Sequence, residues 1–82
     1  MNIYRHQFVV NCPANGKPVI YELEIQSKQM IFAEKIVIAC ELWQSEYHEK
    51  MADDLAYQFP STRQILRAHH HSVDIETVRG EV

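Results

Sequence analysis

Residues 3–26 read Ile3-to-Asn11 "IYRHQFVVN", Cys12-to-Pro18 "CPANGKP" and Val19-to-Gln26 "VIYELEIQ". The third segment alternates strictly. Val19, Tyr21, Leu23 and Ile25 face one way, and Glu22, Glu24 and Gln26 face the other, which is the period of a half-buried strand. The first segment alternates less cleanly, with Tyr4, Phe8 and Val10 on one face and His6 between them, and with Ile3, Arg5, Gln7 and Val9 opposite. The segment between them contains Asn15-Gly16, a pair that favours the positive φ angles of tight hairpin turns. The two strands are therefore expected to form an antiparallel hairpin. An isolated hairpin is marginal in water, so its apolar face needs a cover.

The cover is expected from the region that follows. Lys28 to Phe59 contains neither Gly nor Pro. Ser27 offers a hydroxyl that can cap the first turn of a helix. One unbroken helix over this span would be roughly 45 Å long at 1.5 Å per residue, too long for so small a domain. A break is expected between His48 and Asp53, with Asp53 the best candidate cap for a short second helix, "DLAYQF". Pro60, Ser61 and Thr62 end the helical region. In "RQILRAHHHSVDIETV", Val73 and Ile75 alternate with Asp74 and Glu76, so strand resumes, with a bend at "HHS". Ile65 and Leu66 are adjacent, so that part reads equally as a short helical turn. The expected fold is α+β: an antiparallel sheet, made of the hairpin and one or two C-terminal strands, covered on one face by a long helix broken in two, in the order β-β-α-(α)-β(-β).

The 82 residues are expected to form a single domain, residues 1–82, of modest stability because a chain this short buries a smaller share of its surface than a larger one. No apolar run approaches the ~20 residues that span a bilayer, and the first residues lack the pattern of a signal peptide. Cys12 and Cys40 have no metal-type spacing, and nothing favours a disulfide between them. A cytoplasmic setting with reduced thiols is expected.

The net charge is −3, unevenly spread. Residues 22–58 hold eight acids and three lysines, a balance of 3 − 8 = −5, while residues 1–21 carry +2 and residues 59–82 balance to zero. No basic stripe exists to neutralise phosphates, so nucleic acid is not the expected partner. Tyr4, Phe8 and Tyr21 could serve as stacking platforms for bases, but they are the residues the helix must bury.

On a helical projection, Phe32, Ile36, Ala39, Cys40, Trp43 and Tyr47 form the core stripe. Ile31, Ile38 and Leu42 form a second apolar line, flanked by Glu34 and Glu41, and Met30 and Val37 widen the apolar area. Each such side chain left in water forfeits roughly 1.5–3 kcal/mol. Three covers compete: the second helix folding back with Leu55 and Phe59, a second copy of the chain in a symmetric dimer, or a different protein.

Candidate chemistry is sparse. His69 and His71 would point the same way on a strand, a weak two-ligand metal candidate without a defined third ligand. Cys12 and His6 could meet near the hairpin as a nucleophile and base. Glu22 and Glu24 share a strand face and could act as a carboxylate pair, but charge on an exposed edge explains them more simply. With only two glycines, no phosphate-cradling loop can be built. The expectation is a non-enzymatic binding protein with no cofactor. Its partner is a protein, with self-association into a homodimer, and its contact residues are Ile31, Glu34, Ile38, Glu41 and Leu42. In size, acidity and lack of catalytic motifs the chain is similar to small accessory proteins of phages and mobile elements, including anti-CRISPR proteins that occlude a host complex. The alternatives are a nucleic-acid-binding regulator and a histidine-based metal-binding protein.

Overall fold

A computed structural model describes all 82 residues. The elements are β1 (Asn2–Asn11), β2 (Pro18–Ser27), α1 (Ala33–Glu41), α2 (His48–Gln58), β3 (Arg63–His70) and β4 (Val73–Arg79). The four strands form one antiparallel sheet in the order β1-β2-β3-β4. The β-β-α-α-β-β order is the expected one, with both C-terminal strands present. No helix is long and apolar enough to cross a membrane.

The hairpin closes as its sequence dictates. Phe8 pairs with Tyr21 and Arg5 with Glu24. The loop is longer than a two-residue Asn-Gly turn. The Cys12 amide donates to the Lys17 carbonyl at 2.8 Å and the Gly16 amide to the Cys12 carbonyl at 2.7 Å. Asn15 Oδ1 accepts from the Lys17 amide at 2.9 Å, and Gly16 takes the φ of +71° that the bend requires. The second hairpin turns through His71 and Ser72, both at positive φ (51° and 65°), as a tight two-residue turn demands. Ile65 and Leu66, which read equally as a helical turn, lie within β3.

One sheet face is covered. Phe8, Val10, Val19, Tyr21, Leu23, Ile25, Leu66 and Ala68 pack against Ile36, Ala39 and Cys40 of α1 and against Met51, Ala52 and Leu55 of α2. The other face carries no layer.

The helical region departs from the expected boundaries at both ends. Ser27 is the last residue of β2, not a helix cap. Its Oγ accepts from the Gln29 amide at 3.0 Å and donates to the Gln29 carbonyl at 2.8 Å, closing a small turn. α1 begins only at Ala33, after Phe32, with no side-chain cap. The break falls at 42–47, earlier than the His48–Asp53 window. Here the chain pairs with the end of β1: Asn11 bridges to Ser45, its amide donates to the Gln44 carbonyl at 2.9 Å, and the Glu46 amide donates to the Asn11 carbonyl at 3.3 Å. Backbone bonds to β1 replace the helical ladder, and two helices of 9 and 11 residues fit a molecule whose longest extent is 38 Å. Asp53 lies inside α2 and pairs with Arg79 at 2.9 Å. Because α1 is short, Phe32 and Tyr47 leave the predicted core stripe and are exposed, while Trp43 is half-buried against Phe8.

Candidate functional site

α1 buries Ile36, Ala39 and Cys40, spaced three and four apart on one side, which leaves the opposite side facing outward. Ile38 is 63% exposed and Leu42 67%. Glu34 and Glu41 are exposed beside them. Ile31 does not join this line. It precedes the helix, packs partly against the core, and its amide donates to Tyr4 Oη at 3.0 Å. The helical projection placed it one turn before Glu34, where the backbone is not yet helical. Internal cover by α2 does not occur either. Leu55 is wholly buried beneath α2, and Phe59 forms only the far wall of a shallow cleft of about 330 Å³ shared with Lys35, Ile38 and Leu42.

The histidine pair separates. β3 ends at His70, so His69 lies on the strand and His71 in the turn. His69 Nδ1 is 2.7 Å from Asp74 Oδ1, and His71 Nε2 is 3.2 Å from Asn15 Nδ2. The two rings therefore have different partners and do not form the i, i+2 pair the sequence suggested. His6 and Cys12 are also apart. His6 sits mid-strand, stacked on Phe8 and 3.7 Å from Glu41, while Cys12 is six residues on, about 20 Å along an extended chain.

Glu22 and Glu24 are not on an edge, because β2 is an interior strand. Arg67 of β3 holds both: its Nη1 donates at 3.0 Å to Glu22 and at 3.0 Å to Glu24, and its Nε donates to Glu76 at 3.1 Å. Arg5 adds a bond of 3.3 Å to Glu24. The hydrogen bond from Gln26, at 2.7 Å, and then Arg67 and Arg5, hold the Glu24 carboxyl below its usual range against the opposing effect of burial. This is a structural charge lattice on the open sheet face.

A second grouping was not legible in the sequence. The rings of His48, first residue of α2, and Tyr21 are 5.5 Å apart, and His48 Nε2 bonds Thr77 Oγ1 at 2.9 Å. His48 Nδ1 and His70 Nε2 are buried without hydrogen-bond partners. Burial, with smaller contributions from Arg79 and His70, lowers the His48 pKa against opposing effects of Glu49 and the Leu66 backbone. Burial, and then the nearby charge of Cys12, raises the Tyr21 phenol. A phenol and two imidazoles thus gather at one end of the core, supplied by β2, α2 and β3. Burial, then Glu41, pushes the Cys40 thiol up to about 12, leaving it protonated and inert.

No family model matches the chain, and no curated protein matches it in sequence. In structure the chain is similar to the archaeosine synthase QueF-Like, solved in its apo form, with a TM-score of 0.82 and 15% sequence identity over 99% of this chain and 94% of that one. The fold is therefore shared over nearly all of both chains.

Proposed function

We propose that this chain acts by protein–protein contact through the outer face of α1, as a small binding protein that occupies a partner's surface. The observation that carries this reading is the exposure of Ile38 and Leu42 side by side, one helical turn apart, with no element of the chain folded over them. Glu34 and Glu41 supply a charged rim around an apolar centre, the usual composition of a reversible interface. Self-association is one form of that contact. The experiment is solution mass by light scattering for wild type, Ile38→Glu and Leu42→Glu. A dimer that either charge converts to monomer supports the reading with a second copy as partner. A dimer indifferent to both charges removes this surface from the proposal, and a monomeric wild type removes self-association.

A second reading is favoured by the likeness in fold, over nearly the whole chain, to a protein named as an archaeosine synthase, together with the buried Tyr21–His48 contact. On this reading the chain is an enzyme of related chemistry, with the buried Cys12 as its candidate nucleophile. Its test is archaeosine formation in cells producing the chain, followed by mass spectrometry of their nucleosides. Activity present with wild type and absent with Cys12→Ala supports an enzyme. Levels equal to those of cells lacking the chain leave contact as the function.

A further inference from the structure

The β2–α1 and α2–β3 connections meet around a cavity of about 320 Å³, at the lower end of the range for small-molecule sites. Its floor is rigid. Buried Thr62 donates from Oγ1 to the Phe59 carbonyl at 2.6 Å. Buried Gln64 donates from Nε2 to the carbonyls of Leu55 and Phe59 at 3.0 and 3.2 Å and to Thr62 Oγ1 at 3.1 Å. Behind Thr62 the chain passes so close at Gly80 that a Cβ there would meet the Thr62 carbonyl oxygen at 2.2 Å. This floor is held from three sides.

The mouth is composed differently. Met30 and Phe32 stand on its rim at 69% and 62% exposure, and Phe59 closes the inner wall. Lys35 is the cavity's one cation, and it is absent from every ion pair in the chain. The carboxamides of Gln29 and Gln58 and the hydroxyl of Ser61 border the same space, and none of them is hydrogen-bonded within the chain. Ser61 reaches its position at a φ of +62°, a region that non-glycine residues seldom occupy. An apolar rim, a single unpaired cation and three free polar groups thus surround one opening.

We propose that this cavity binds a small amphipathic carboxylate. Its apolar body lies against Met30, Phe32 and Phe59, its carboxylate meets the Lys35 ammonium, and Gln29 and Gln58 donate to its remaining oxygen lone pairs. The site adjoins the contact face and shares Lys35 and Phe59 with the cleft beside it, but recognition of the carboxylate needs Lys35, whereas the contact face needs Ile38 and Leu42.

The probe is 1-naphthoate, with neutral 1-naphthylmethanol as its uncharged counterpart, titrated into the isotopically labelled full chain and followed by amide NMR. The expected result is saturable shifts at Gln29, Lys35, Gln58 and Ser61. The acid should bind about tenfold or more tightly than the alcohol, as one charge-assisted hydrogen bond supplies. Lys35→Ala should remove that preference and Lys35→Arg should restore it. Equal affinity for acid and alcohol, shifts centred on Ile38 and Leu42, or no shifts up to about 5 mM would each overturn the proposal. None of these results bears on the light-scattering test, so the two readings fail separately.

Discussion

His48 Nε2 and Thr77 Oγ1 lie 2.9 Å apart and tie the first residue of α2 to the core side of β4. The ring is half-buried, and burial lowers its pKa below the ordinary 6.5. The unfolded chain therefore binds more protons than the folded one between the folded value and 6.5. Stability from this residue is fully present above about 6.5 and is lost as pH falls through the folded value. The melting temperature should drop on moving from pH 7.5 to pH 5 at fixed ionic strength, and His48→Gln should drop less. An equal drop in the variant would assign the effect to other groups.

Ile36 and Ile38 are two residues apart on α1 and predict opposite behaviour. Ile36 is 4% exposed within the core, so Ile36→Ala should cost about 2–5 kcal/mol. Ile38 projects into water, so Ile38→Glu should change stability by no more than about 0.5 kcal/mol. Urea unfolding of the two variants measures both. A large loss for Ile38→Glu would mean that the contact face is already covered in solution, as in a dimer that must dissociate to unfold.

How far these features were legible follows from the range of the interactions that made them. The alternation of Val19, Tyr21, Leu23 and Ile25 is local, and it placed β2 and its buried face correctly. The exposed pair of Ile38 and Leu42 was also local, one helical turn apart. The helix break was not, because it is set by the pairing of Asn11 with Ser45, 34 residues later. Ser27 has the chemistry of a helix cap but spends its hydroxyl on Gln29, and no local pattern distinguishes the two uses. The Tyr21, His48, Thr77 and His70 grouping draws on four elements and exists only once the sheet register is known. Glu22 and Glu24 read as edge charges because strand order, which makes β2 interior, is not written in β2 itself.

That interior position yields a further expectation. Glu24 is 5% exposed and depends on Arg67, which also holds Glu22 and Glu76. Arg67→Ala would leave a buried carboxylate without its main cation and set three acids facing one another. Because Arg67 is itself about one-third exposed, solvent screening moderates the loss to about 1–3 kcal/mol. Arg5 is 60% exposed and holds Glu24 through a single longer bond, so Arg5→Ala should cost less than Arg67→Ala. Chemical denaturation at pH 7 compares them, and the reverse ranking would show that the lattice is centred on β1.

The two thiols should separate by reactivity. Cys40 is 1% exposed on the core side of α1, and its thiol, pushed up to about 12, stays protonated at neutral pH. Alkylation requires a thiolate with access to the reagent, and Cys40 has neither. Cys12 is also buried, at 7%, but it stands at the start of the β1–β2 loop, where a local opening exposes it without disrupting α1. Iodoacetamide at pH 8 should therefore modify Cys12 first in the folded chain, with Cys40 reacting only once denaturant unfolds the core. Peptide mass spectrometry over a time course reads both sites. Faster labelling of Cys40 would show that α1 detaches from the sheet more readily than the hairpin loop opens, which would place the mobile part of the molecule at the contact face.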